Sequence, residues 1–251
     1  MSFLQFNDKR IYYELKCIDS SRVLIFIHGS GSTSNVWKYQ FDLEVNCDLI
    51  ALDLPSHGKS SKFSKLSLDL YVDVLGALIT QLNYKEVILC GHSLGGAIIQ
   101  SFYFKNPDLV DKLILVGSGA RLRVSPVILE SLITDYEDFL NSLPFGAFSR
   151  KTPKETVNAY IKETSKVGSE VTYQDFWICD KFDVMDKTSN IKVPILIIVG
   201  KDDKLTPVKY ANYYKEKVSN SEIFIIEKAG HMVMIEQPER FNEIIKKSTE
   251  V

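Results

Sequence analysis

The chain has 251 residues, 45% of them hydrophobic and 25% charged, with a formal net charge of -2, the balance of an ordinary globular protein with room for one large core and an added lobe. It has no excess or cluster of Lys and Arg to form a phosphate track, which argues against nucleic acid as a partner. Residues 1–10 have neither the basic flank nor the apolar run of a signal peptide, and no later apolar run approaches bilayer length, so the expectation is a cytoplasmic protein with no membrane association.

Two strand-like runs at 3–6 and 11–16, on either side of Asn7-Asp8, read as an antiparallel hairpin at a sheet edge. Residues 23–27, Val-Leu-Ile-Phe-Ile, are continuously apolar, the pattern of a strand buried on both faces of a parallel sheet, with the active side at its carboxyl end. There the chain enters His28-Gly29-Ser30-Gly31-Ser32, where small residues let a ligand approach the backbone and the N–H of Ser30 can donate to an oxyanion. A helix near 34–39 and a strand over Asp48–Leu52 follow. The strand ends in a turn-rich loop, Asp53-Leu54-Pro55-Ser56-His57-Gly58-Lys59-Ser60. Leu68–Leu82 carries Tyr71, Val74, Leu75 and Leu78 on one stripe, the core face of an amphipathic helix.

Residues 87–90 form the next strand, and Ala97, Ile98, Ser101 and Phe102 recur at helical spacing just beyond it. Between them lies Gly91-His92-Ser93-Leu94-Gly95, a G-x-S-x-G. A serine at the apex of so tight a turn needs neighbours without bulk. The turn projects its Oγ above the sheet edge and aims the backbone N–H of Leu94, at a helix N-terminus, toward any negative charge that forms there. Five loosely specified positions mean little alone, but here the strand, turn and helix are all present and the partners of a serine nucleophile follow in the order acid, base.

After the strand Lys112–Val116 the alternation of strand and helix stops. Segments at 126–143, 153–166 and 170–185 read as helices, punctuated by Pro144, Gly146 and Gly168, with no strand between them. This is an inserted helical lobe. Most of its aromatics, among them Phe139, Tyr160, Phe176 and Trp177, pack its own core, and some face a cleft as an apolar lining. The core resumes with a strand at 193–199, followed by Gly200-Lys201-Asp202-Asp203. A carboxylate just past a strand end can hold an imidazole in one tautomer, and Asp203 is the first choice, with Asp202 in reserve. A last strand at 222–226 leads to Gly230-His231-Met232, and a closing helix opens at Pro238 with Phe241, Ile244 and Ile245 on one face.

A serine is a poor nucleophile at neutral pH. It needs an adjacent base, and the base needs an orienting group. Ser93, His231 and Asp203 fill these roles, with the N–H groups of Ser30 and Leu94 as the oxyanion hole. Of the four histidines only His231 follows both nucleophile and acid, whereas His57 precedes Ser93 and is read as organising its loop. The four cysteines, Cys17, Cys47, Cys90 and Cys179, are widely separated and form no C-x-x-C pair, so they are read as buried free thiols and not as a zinc site or disulfide framework.

On His28-Gly29-Ser30-Gly31, the loop from Asp53 to Ser60, Gly91 to Gly96, the spacing of Gly200, Asp203 and Pro207, and Gly230-His231, the chain resembles the α/β-hydrolase fold enzymes of the small, capped kind over essentially its whole length. The resemblance implies an α/β fold: an eight-stranded, mostly parallel sheet flanked by helices, with core at 1–120 and 191–251 and a helical cap at 121–190 inserted after the sixth strand. Ser56 departs from the pattern, since relatives commonly have glycine there, and it stiffens or tilts the loop without touching the triad. Ser93 disfavours relatives with an aspartate nucleophile, and Met232 disfavours carbon–carbon bond hydrolases, which often have tryptophan after the histidine. What remains is hydrolysis of esters, thioesters or lactones through an acyl-enzyme. The expectation is a carboxylesterase acting on a small-molecule ester of short or medium acyl chain, with no metal or organic cofactor. A ligand-binding protein on a hydrolase scaffold is the alternative from another class.

Overall fold

The structure is a computed structural model and describes residues 2–250. Its strands are β1 (Ser2–Phe6), β2 (Lys9–Lys16), β3 (Arg22–Ile27), β4 (Asp48–Leu52), β5 (Glu86–His92), β6 (Lys112–Val116), β7 (Ile195–Gly200) and β8 (Ser221–Ile226). They form one sheet in the order β1-β2-β4-β3-β5-β6-β7-β8. The pairs β1–β2 and β2–β4 are antiparallel and the others parallel, with Ile25 opposite Ile50 and Leu89, and Leu115 opposite Ile197. The carboxyl ends of β3, β5, β6, β7 and β8 therefore lie along one edge, and each candidate residue follows one of them.

Continuous apolar strands make sense here because both faces of the sheet are covered. The helices in chain order are α1 (Leu68–Leu82), α2 (Leu94–Lys105), α3 (Pro126–Thr134), α4 (Tyr136–Gly146), α5 (Lys154–Val167), α6 (Ser169–Lys181), α7 (Val208–Lys217), α8 (Val233–Glu236) and α9 (Pro238–Thr249). On one face Ile25, Ile27, Leu89 and Leu113 pack with Tyr71, Leu75 and Leu78 of α1, Ile98 and Phe102 of α2 and Tyr214 of α7. On the other, Leu24, Phe26, Ile88 and Ile114 pack with Trp37 and with Phe241, Ile244 and Ile245 of α9. Adjacent residues of a strand point to opposite cores, and each fully buried side chain of this size contributes roughly 1.5–3 kcal/mol. Ser67 accepts from the Leu70 N–H to start α1, and Asn83, left-handed at φ 52°, ends it.

Several boundaries differ from expectation. The segment 34–39 is only a short 3-10 turn at Ser34–Trp37. The helix expected at 126–143 is two, α3 and α4, because Asp135 leaves the helical conformation and its carboxylate accepts from the Asp138 N–H to begin a new one. The helix expected at 170–185 ends at Lys181: Phe182 is extended, and Asp183 bridges to Arg121 across the base of the helical insertion. Three cysteines are buried as expected, but Cys17 is exposed. Among the described residues no helix is long and apolar enough to cross a membrane.

The passage from β5 to α2 has little tolerance. A Cβ on Gly91 would run into the Gly95 carbonyl, and a Cβ on Gly95 into that of Ile27 on the neighbouring strand. Backbone cannot move aside as a side chain can, so the two glycines set how closely α2 approaches the sheet. Gly95→Ala is expected to destabilise the protein by about 3 kcal/mol, read from urea unfolding midpoints; a wild-type midpoint would contradict this packing.

Candidate active site

Ser93 stands between β5 and α2 with φ 52° and ψ -113°, a conformation that costs a non-glycine residue on the order of 1–3 kcal/mol unless its surroundings hold it. They do. Its N–H donates to the Val116 carbonyl at 3.0 Å and its carbonyl accepts from Gly96 N–H at 2.9 Å and from Ser118 Oγ at 2.9 Å. The backbone is fixed from both neighbouring elements, and the hydroxyl remains on the lining of a cavity.

Asp203, after β7, and His231, after β8, meet with His231 Nδ1 2.9 Å from Asp203 Oδ2. The carboxylate is fully engaged: Oδ1 accepts from the N–H groups of Leu205 (2.9 Å) and Thr206 (2.8 Å), and Oδ2 also accepts from Thr206 Oγ1 (2.8 Å). Burial by itself would raise its pKa, but the charge and hydrogen bond of His231 and the donors of Thr206 outweigh it and hold the group at about 2. Asp202, the reserve choice, is exposed and accepts instead from Ser149 Oγ at 2.5 Å.

Two residues that the sequence does not single out secure the histidine's loop. Buried Glu236 accepts through Oε1 from Gly230 and Met232 N–H at 2.8 and 3.1 Å, and through Oε2 from Ser149 N–H at 2.9 Å. His92 Nε2 lies 3.0 Å from the His231 carbonyl oxygen, so that nitrogen carries the proton and donates. Thr206 had a local signal, the Asp-x-x-Thr spacing of a side-chain-capped turn. Glu236 and His92 had none, because their partners, the Thr152 hydroxyl and backbone atoms of the loops, come within reach only in the folded protein.

After β3, Ser30 lies beside the same cavity. His28 Nε2 accepts from Leu54 N–H at 3.1 Å, which puts the ring proton on Nδ1, where it donates to the Gly29 carbonyl at 2.8 Å. Burial and the neighbouring His57 push the pKa of His28 down to about 4, so this tautomer persists at neutral pH. The Gly29 carbonyl and the Ser30 N–H belong to one trans peptide and point in opposite directions, so holding the first aims the second. Among the described residues neither the Ser30 nor the Leu94 N–H donates an intramolecular hydrogen bond.

His57 does organise its loop. Its Nδ1 is 2.9 Å from the Pro55 carbonyl and its Nε2 2.9 Å from Asp175 Oδ2 of α6. Burial disfavours its charge, yet the Asp175 carboxylate prevails and its pKa is raised. Ser56 has φ 70°, where glycine would sit without strain, and its Oγ offsets this by accepting from Phe63 N–H at 2.9 Å.

Ser30, Ser93 and His231 thus share one cavity of about 230 Å³, walled by Leu122, Ile128, Phe139, Tyr160, Phe176 and Met232. His231 makes its side-chain hydrogen bonds to Asp203 and Thr206 and none to Ser93 Oγ; contacts between nucleophile and base often tighten only with substrate. Of the insertion's aromatics, Phe139, Tyr160 and Phe176 face the cavity, whereas Phe145 and Trp177 are exposed.

A model described as "Alpha/beta hydrolase family" matches residues 24–244. The fold is similar to a solved structure described as "Structure of a thermophilic esterase", 34% identical, covering 99% of this chain and 96% of that one with a TM-score of 0.89. The sequence is 28% identical over 236 residues to the pimeloyl-[acyl-carrier protein] methyl ester esterase of Pectobacterium carotovorum subsp. carotovorum (strain PC1), covering 88% of this chain and 91% of that protein. It is 27% identical over 242 residues to the protein ABHD8 of Mus musculus, covering 89% of this chain but 54% of that protein, so it spans about half the length of that relative.

Asp203 sets an acid limit. Its folded pKa of about 2 lies below the ordinary 3.8, so it contributes about 2 kcal/mol above that ordinary value, and the contribution is lost as pH falls through about 2. The difference in unfolding free energy between wild type and Asp203→Asn is therefore expected to shrink as pH is lowered from about 6 to about 2. A difference constant over that range would contradict it.

Proposed function

We propose that this chain, which belongs to the alpha/beta hydrolase family and is a hydrolytic enzyme of the esterase and lipase type, is a serine-dependent carboxylesterase for esters of small or medium acyl chain. Ser93 is its nucleophile, His231 its base and Asp203 its acid. The observation that carries this reading is the 2.9 Å contact of His231 Nδ1 with the ionised Asp203, beside a cavity lined by a serine at positive φ.

An ionised carboxylate only accepts, so the His231 proton sits on Nδ1 and Nε2 is left bare to take the proton of Ser93 Oγ. Oγ then bonds to the ester carbonyl carbon, and the N–H groups of Ser30 and Leu94 hold the oxyanion. The tetrahedral intermediate collapses as His231 returns the proton to the departing alcohol. Water, deprotonated by the same nitrogen, attacks the acyl-enzyme, and release of the carboxylic acid restores Ser93. Asp203 stabilises the imidazolium in both halves.

The cap, delimited as residues 121–190, supplies the apolar wall. A cavity of about 230 Å³ is small beside ligand pockets of roughly 300–1,000 Å³, which supports a short acyl chain. With p-nitrophenyl esters from acetate to decanoate, kcat/KM is expected to peak among the shorter chains, and Ser93→Ala is expected to lower kcat by about 10⁴-fold or more. Turnover by folded wild type no higher than that of Ser93→Ala would contradict the assignment.

A further inference from the structure

Asp175 lies on α6, in the cap, and is fully buried. Its Oδ1 accepts from Tyr71 Oη at 2.6 Å. Its Oδ2 accepts from His57 Nε2 at 2.9 Å and from the backbone N–H of Gly31 at 2.9 Å. Burying a carboxylate is expensive unless its oxygens are satisfied, and here three donors from three separate segments of the core converge on one side chain of the cap. One of them is the residue next to Ser30.

The same face of α6 grips that loop at two more points. Thr172, three residues before Asp175, lies so close that a Cβ on Gly31 would come 2.9 Å from its Cγ2. Cys179, four residues after it, has Sγ 3.4 Å from Ser30 Oγ. Residues at this spacing share one helix face. The Gly29–Ser30 peptide is held on its carbonyl side by His28, and the Ser30–Gly31 peptide is held on its N–H side by Asp175. Between these two ties the Ser30 N–H has little freedom to turn.

We propose that Asp175 is a positioning residue for the oxyanion hole: by accepting from Gly31 N–H it fixes the Ser30 donor, so that seating of the cap helix and completion of the hole are one event. The inference rests on the serine-esterase reading of the site. An oxyanion donor acts on the charge that develops in the transition state, so displacing it lowers kcat and leaves substrate binding largely intact.

Asp175→Asn is nearly isosteric and tests this directly. Without the carboxylate, His57 becomes neutral and keeps its proton on Nδ1 toward the Pro55 carbonyl. Its bare Nε2 then draws the Asn amide NH₂ to the side where Gly31 N–H needs an acceptor, and donor meets donor. With p-nitrophenyl acetate, kcat is expected to fall about tenfold in Asp175→Asn and about 100-fold in Asp175→Ala, with KM within about threefold of wild type. The affinity of an alkyl boronic acid, which forms a tetrahedral adduct, is expected to fall in parallel. Tyr71→Phe removes only the bond to Oδ1; it is expected to lower the melting temperature and leave kcat within about twofold. Should Asp175→Ala fail to fold, Asp175→Asn decides alone. A folded Asn variant with wild-type kcat and boronate affinity overturns the positioning role. Turnover that survives Ser93→Ala overturns the esterase reading beneath it, a distinct outcome.

Discussion

The turn from β5 into α2 demands that a non-glycine residue hold φ 52° where strand and helix almost touch. Everything at the site depends on that demand being met. Gly91 and Gly95 allow the close approach, Val116 and Ser118 of the adjoining segment tie the backbone of Ser93 down, and the buried sheet supplies the rigidity against which strain can persist. A looser turn would let the serine relax into the helix, and its hydroxyl would no longer stand at the cavity.

The histidines show how one residue type is given four tasks by its surroundings. All four rings are buried, so exposure does not separate them, and their partners must. His28 stays neutral, pushed down to about 4, and props the Gly29 carbonyl. His92 is held well below its ordinary value by burial and by His231 beside it, and anchors the His231 carbonyl. His57 is raised by Asp175 and joins the core to the cap. His231 alone pairs with a carboxylate while lining the cavity. Position relative to these partners distinguishes them; exposure does not.

Much of this is legible in the amino-acid sequence. The strand at 23–27 and the helix Leu68–Leu82 can be read because an unbroken apolar run and a one-sided stripe have few other physical meanings. Ser93, Asp203 and His231 can be put forward as candidates because each follows a strand, and ligands of such sheets bind at those ends. What escapes is set by partners that only folding supplies. Asp135 breaks the first cap helix through its own capping bond, which a polar residue in a helical pattern does not announce. Asp175 sits among Tyr173, Phe176 and Trp177 as one more charge on an amphipathic helix, and only folding brings His57, Tyr71 and Gly31 to it. Glu236 is hidden for a related reason, since its donors include main-chain N–H groups of the histidine's loop and of the cap.

The central claim is that Ser93 forms the covalent bond to the acyl group. Its most direct measurement is peptide mass spectrometry after stoichiometric reaction with an alkyl fluorophosphonate, which phosphonylates an activated serine and releases fluoride. The expected result is a single adduct on the peptide containing Ser93, with esterase activity lost in proportion to labelling. An unmodified Ser93 in fully inactivated protein, or full activity in protein labelled at Ser93, would contradict the account.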